Sequence, residues 1–192
     1  EVALGKDTKG LIEQVSQIPG REQVKTVCID MSKTYRALIK KLFPNAQIVA
    51  DKFHVLRLLS SAIIRERRRV QGDRHNAQTR RLLFCNRHRL DFFERSEIDR
   101  LLVHHPELDA LDRAKERLHE IYRTKGLRRV SQALERFTAQ LSMSRLDPLE
   151  KLSRTLKTWR KEILKYFETR LTNAFTEHTN NRGKLVQVRA YG

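Results

Sequence analysis

Three acids stand where a carboxylate could do chemistry. Asp30 closes a β-branched, apolar run, Val24–Ile29, and Asp51 closes a second, Gln47–Ala50. Glu177 lies in the tail, Asn173–Gly192. Wound as a helix at about 100° per residue, that tail puts Asn173, Glu177, Asn180, Asn181 and Lys184 on one stripe, with Leu171, Phe175, Leu185 and Val186 opposite. A single acid ringed by amides and one amine suits a metal ligand better than a solvated face of mixed charge. Carboxylates on different elements can converge on one point, and a hard ion such as Mg²⁺ takes oxygen ligands. Two such ions a few ångströms apart activate a nucleophilic oxygen and stabilise the leaving oxygen of a phosphodiester.

Each residue also has a plainer reading. Asp30 could simply start a turn. Asp51 is well placed to cap a helix beginning at Phe53, the commoner role for such an acid. Glu177 taken singly reads as a surface acid. His54, three residues after Asp51, is more often a core or hydrogen-bonded histidine than a ligand. His104-His105 before Pro106 read as a helix end, and Trp159 with Leu152, Leu156 and Ile163 reads as core. The run Arg65, Arg67, Arg68, Arg69, with Arg57 on the same segment, is usually a solvated face. It gains weight only from the charge of the whole chain.

The elements that must carry these residues change character along the chain. The first fifty residues alternate in the α/β manner. Asp7 or Thr8 caps a helix bearing Leu11, Ile12, Val15 and Ile18, which Pro19-Gly20 closes. The strand 24–29 follows, then a helix capped by Ser32 and stopped by Pro44-Asn45, then the strand 47–50. Strand, helix, strand at this spacing predicts neighbouring parallel strands. Ligands of such sheets bind outside the carboxyl ends of the strands. Beyond Phe53 the pattern is helical. Phe53, Leu56, Leu59, Ile63 and Val70 mark one helix, and further helices are expected near 76–90, 96–104, 107–122, 126–141 and 149–168. Residues 53–170 hold 28 Lys and Arg against 16 Asp and Glu, so twelve of the seventeen net positive charges lie there. The expected organisation is a partial α/β core over 1–52, a basic all-helical insertion over 53–170, and a closing core helix over 171–192.

A net charge of +17 favours a polyanionic partner, nucleic acid first among them. Cys28 and Cys85 are far apart and show no metal spacing, which points to a reducing compartment. No apolar run approaches the roughly 18 residues of a membrane span, and nothing at the start resembles a signal peptide. The first residue is Glu1, not Met, and Glu1–Leu4 reads as the end of a strand, so a fragment of something longer is expected.

Together these segments resemble the ISL-three family of DDE transposases from bacterial insertion sequences. Asp30-Met31-Ser32-x-x-Tyr35, followed by Phe43-Pro44-Asn45-Ala46-Gln47-Ile48-Val49-Ala50-Asp51-Lys52-Phe53-His54-Val55, looks like the family's central signature. Thr172-Asn173-Ala174-Phe175-Thr176-Glu177-His178-Thr179-Asn180-Asn181, then Lys184 and Arg189-Ala190-Tyr191-Gly192, looks like its closing signature. Leu4-Gly5-Lys6 is a weaker third block. Where Ala174 and His178 stand, family members often have Gly. The resemblance implies a fold like RNase H and retroviral integrase, helix-dominated through its insertion. It implies a metal-dependent DDE triad in which Asp30 is the second Asp and Glu177 the closing Glu, both metal ligands, with the first Asp upstream of residue 1. Asp51, His54, Asn180 and Asn181 would support the site. Arg57, Arg65, Arg67, Arg68, Arg69, Lys184 and Arg189 would contact DNA. The implied cofactor is Mg²⁺, with Mn²⁺ as a substitute. The implied partners are terminal inverted repeats, target DNA and further copies of the chain in a synaptic complex, in the bacterial cytoplasm at the nucleoid. The family's zinc-binding and helix-turn-helix segments have no counterpart here. Two rival readings are a DNA-binding transposase remnant or regulator without catalysis, and a helical protein-interaction module.

Overall fold

Strands β1 (Thr26–Ile29) and β2 (Gln47–Ala50) pair in parallel, in the register Thr26↔Gln47 through Ile29↔Ala50. Ile48, Val49 and Ala50 are all buried, so β2 is covered on both faces, as an inner strand of an α/β sheet requires. The computed structural model describes residues 8–72 and 77–172. The tail with Glu177, Asn180, Asn181, Lys184 and Arg189 therefore lies outside the described residues. The chain divides into two compact units, Glu1–His54 with Lys161–Gly192, and Val55–Arg160.

In the first unit, α1 (Thr8–Ser16) precedes a turn at Gly20, whose φ of 78° favours glycine. Helix α2 (Lys33–Leu42) joins the two strands. Ser32 caps it as the sequence predicts, its Oγ accepting from the Tyr35 amide at 3.3 Å, and Leu38 and Leu42 form its buried face. Helix α3 (Lys52–Leu56) starts directly beyond β2. Helix α10 (Arg160–Thr169) buries Ile163, Tyr166, Phe167 and also Glu162. The Glu162 carboxylate meets the Arg36 guanidinium of α2 at 2.5 Å, so a buried ion pair ties the two helices. α10 ends where Arg170 takes a φ of 58° and its amide bonds to the Tyr166 carbonyl at 2.7 Å, a left-handed cap made without glycine.

The second unit is built from α4 (Ser60–Gln71), α5 (Ala77–Phe84), α6 (Phe92–Val103), α7 (Pro106–Arg123), α8 (Leu127–Ser142) and α9 (Asp147–Thr158). Helix α7 has Pro106 in its first turn with Glu107 and Asp109, residues that suit the positive end of a helix dipole. Its buried stripe carries Leu108, Leu111, Leu118, Ile121 and Tyr122, but also Asp112 and Lys115. The Lys115 ammonium donates to Asp112 at 2.7 Å and to the Leu83 carbonyl at 2.6 Å, and Arg87 donates to the other Asp112 oxygen at 2.9 Å. Burial works against the Arg87 charge. Its hydrogen bonds to Asp99 and Asp112 overcome that and hold its pKa above the ordinary guanidinium value. Helices α8 and α9 pack through Val130, Leu134, Phe137 and Leu141 on one side and Leu149, Leu152 and Leu156 on the other. Ser153 fastens them by donating to the Thr138 carbonyl at 2.7 Å.

Several helix boundaries differ from expectation. The single helix expected over Phe53–Val70 breaks at residues 57–59, where three-residue turn bonds run from Leu58 to Val55 and from Ser60 to Arg57. The helix expected over 76–90 stops at Phe84 and gives way to a 3₁₀ turn, Arg87–Arg89. The one expected from residue 96 begins at Phe92 because Asp91 and Glu94 form a capping box, with bonds of 2.8 and 3.1 Å. The long helix over 149–168 is two helices parted at Trp159, a buried residue as predicted. Among the described residues no helix is long and apolar enough to cross a membrane.

Candidate active site

Register alone brings two of the predicted acids together. One step past the Ile29↔Ala50 pair lie Asp30 and Asp51, side by side at the carboxyl ends of parallel strands. The Asp51 amide continues the ladder, donating to the Ile29 carbonyl at 2.8 Å. The two neighbours then diverge. Asp51 is fully buried. Its Oδ2 accepts from the His54 amide at 3.3 Å, as a helix cap does, and lies 2.8 Å from His54 Nδ1. The carboxylate thus fixes the imidazole from one side, and the His54 side chain remains 38% exposed. A carboxylate that orients a histidine in this way sets which ring nitrogen carries the proton.

Asp30 is half-buried, and its backbone carbonyl accepts from the Ser32 amide at 2.7 Å in the turn that opens α2. Its carboxylate has no hydrogen-bond or ion-pair partner among the described residues. An unpaired carboxylate at the carboxyl edge of parallel strands fits a hard, oxygen-seeking divalent ion. Asp51 does not fit one, because burial and His54 already occupy it. Among the described residues no group of three or more His, Cys, Asp or Glu gathers as a closed metal site would need.

Lys52, part of the Ala50–Val55 signature, has a place of its own beside these acids. Its ammonium lies 5.9 Å from the centre of the Phe53 ring and 6.0 Å from that of Tyr166 on α10. The Arg170 guanidinium lies over Tyr166 and Phe167, at 5.6 and 5.2 Å. Aromatic faces hold both cations in place without neutralising them, so they keep their charge for an anionic partner. No spacing rule marks the Lys52–Tyr166 contact, because it joins residues more than a hundred positions apart. The same holds for the Arg36–Glu162 pair.

The predicted basic residues separate by burial. Arg57, Arg65 and Arg68 are exposed. Arg67 is only 6% exposed on the inner side of α4, a correction to its expected place on a DNA-facing surface. Arg69 is exposed but spoken for. It donates to Glu66 at 2.6 Å and to Glu107 at 3.1 Å, and the hydrogen bonds to Glu66 hold its pKa above the ordinary value. Arg65 and Lys151 border one groove of about 390 Å³ between α4 and α9.

A family model of transposases, the DDE type named for ISL3, matches residues 1–192. The transposase for insertion sequence element IS1001 of Bordetella parapertussis is 29% identical over 184 residues, which cover 91% of this chain and 45% of that protein. The chain thus spans about half the length of the relative it matches. No solved structure matches it.

Proposed function

The chain belongs to the ISL3 family of DDE transposases, and on that premise we propose that it forms part of the catalytic core that cuts and rejoins DNA at the ends of an insertion sequence. The observation that carries this reading is the pair of acids at the carboxyl edge of β1 and β2, one sealed and one open. The core would have the RNase H-like arrangement, completed by strands beyond these two. Asp30, Glu177 and an Asp outside these residues would hold divalent metal, Mg²⁺ or Mn²⁺. When bound, the metal lowers the pKa of a water and offsets the charge on the leaving 3′-oxygen. Asp30 supplies a fixed negative oxygen to that site. Asp51 keeps His54 oriented beside it, so that the imidazole can hold a proton or a phosphate oxygen at its free face. Asn180 and Asn181 would orient Glu177. Lys52, Lys184 and Arg189 would meet DNA phosphates near the reacting bond, with Arg57, Arg65, Arg68 and Lys151 holding the backbone farther along. Such contacts give affinity and salt dependence rather than sequence readout. The working form would be an assembly of copies on paired ends, at the nucleoid of a bacterial cell.

The test is cleavage and strand joining by the complete transposase on DNA that carries its terminal repeats. Activity should require Mg²⁺ or Mn²⁺ and fall on the order of a thousandfold or more in Asp30→Asn. Joining at wild-type level in that variant would remove Asp30 from the site. Salt-sensitive binding that ignores metal, with no cleavage under any condition, would leave a DNA-binding remnant instead.

A further inference from the structure

The start of α6 presents two aromatic rings that no core requires. Phe92 and Phe93 are 77% and 80% exposed, stacked edge to face with centroids 5.7 Å apart. The apolar needs of this segment are already met by Leu90, Ile98 and Leu102, all buried. The first turn of α6 is nevertheless held firmly. Asp91 and Glu94 cap it reciprocally, and Arg81 of α5 grips Glu94 from outside. The Phe pair therefore stands on a fixed platform rather than on a fraying end.

The charge around the pair is asymmetric. Every acid of residues 90–100 is occupied: Asp91 by the cap, Glu94 by Arg81, Glu97 by Gln78 at 2.7 Å, and Asp99 by Arg87 at 2.5 Å. The cations are not. Arg89, Arg95 and Arg100 are exposed and have no carboxylate partner among the described residues. Arg95 and Arg100 donate only to the carbonyls of Leu90 and Ser96, at 2.9 and 3.3 Å. Phe92, Ser96, Arg100 and Val103 follow one another at i, i+4, i+8 and i+11. One helical stripe thus carries an aromatic ring, a small hydroxyl, a cation and an aliphatic group in turn. A second copy of this chain would bring its own net charge of +17 to these arginines and be repelled. A nucleic acid offers what both parts need, phosphates for the guanidinium groups and flat base faces for the rings.

We propose that Phe92 and Phe93, flanked by Arg89, Arg95 and Arg100, form a stacking platform for unpaired bases next to a DNA end. The platform rests on the strand-cutting reading above and adds to it a place where frayed or displaced bases are held. Its test uses the 192-residue chain, a forked duplex with unpaired bases, and a fully paired duplex of the same phosphate count, with affinity read by fluorescence anisotropy. The wild-type chain should favour the forked probe. Phe92→Ala with Phe93→Ala should weaken forked binding about tenfold or more, leave the paired duplex unchanged and keep the same salt slope. Trp at both positions should restore it. Arg89→Gln with Arg100→Gln should weaken both probes and reduce the salt slope by about two. An alanine pair that binds the fork as wild type does would overturn the platform. So would a wild-type chain that sediments as a dimer which the alanine pair dissolves without change in DNA affinity. A wild-type chain that binds neither probe at low salt would instead refute the DNA reading itself, whatever the phenylalanines do.

Discussion

The acids at the edge of the strand pair and the acids along α6 and α7 are the same chemistry in opposite states. On α7, both oxygens of Asp112 are engaged, one by Lys115 and one by Arg87, and the Glu116 carboxylate lies 3.1 Å from the Lys115 ammonium as an ion pair. On α6, Glu94 and Asp99 are each held by an arginine. At the end of β1, Asp30 has no partner among the described residues. In a chain with 40 cations and 23 acids, a cation is easily found for any carboxylate. In the helical unit Asp112, Glu94 and Asp99 each tie one element to another, while Arg89, Arg95 and Arg100 stay outside with no carboxylate partner among the described residues. The strand unit leaves an acid open where a ligand would enter. Pairing, more than residue type, separates Asp112, Glu94 and Asp99 from Asp30, the acid that the proposed function would use for chemistry.

The sharpest way to break this comparison is to neutralise one acid from each side. Asp112→Asn removes the charge that compensates a buried lysine and should cost about 3–5 kcal/mol of stability, read as a lower denaturant midpoint. Asp30→Asn removes no folded-state partner and should leave that midpoint within about 0.5 kcal/mol of wild type, even as it abolishes cleavage. If Asp30→Asn unfolds early while Asp112→Asn does not, the two acids have been assigned to the wrong sides.

Asp51 lies between the two cases, fully paired yet beside the open acid. Replacing its partner tests which side it belongs to. His54→Ala should reduce cleavage by about 10- to 100-fold, the range for groups that act through a neighbour at a metal site. The same change takes a partner from the fully buried Asp51 carboxylate, so the denaturant midpoint should fall too, and cleavage is compared where all the proteins stay folded. His54→Gln keeps a donor toward Asp51 and should recover part of the loss. Equal cleavage in all three proteins would make the pair a helix cap and nothing more.

How much of this was legible in the sequence follows from the range of each interaction. The strands, the Ser32 cap and the parallel pairing are encoded within a few residues, and the sequence predicts them correctly. The adjacency of Asp30 and Asp51 then needs only the register. Helix breaks were harder. Asp91 and Glu94 spell a capping box that pattern-matching on apolar periodicity passed over, because Phe92 and Phe93 do not fit a buried stripe. Trp159 was correctly read as core yet sits at a break, since its burial and the end of α9 are set by packing and not by local propensity. Arg67 differs from expectation because a run of arginines hides which one faces inward, although its i+4 spacing from the buried Ile63 marks it. The Lys115–Asp112 and Arg36–Glu162 pairs were invisible, because nothing local distinguishes a buried ion pair from a surface one.

The smallest effect expected concerns acidity, and it follows from the paired side alone. The hydrogen bond from Arg81, and then that from the Asp91 amide, hold the Glu94 pKa below the usual carboxylate value. A carboxylate with a lowered folded-state pKa adds stability above its unfolded pKa of about 4.3 and loses it as pH falls through the lower folded value. The first turn of α6 should therefore keep full amide protection at pH 6 and lose part of it below about pH 4, with the rest of the helical unit still folded. Arg81→Gln removes the leading cause, so the low-pH loss should shrink and protection at pH 6 should already be lower. Since this turn carries Phe92 and Phe93, the forked-DNA preference should weaken over the same acid range in the wild-type chain. Protection of Glu94 and Arg95 that stays flat from pH 6 to pH 3 would show the capping box standing without its charged partner. It would reduce the Arg81–Glu94 contact to an exposed pair of little consequence.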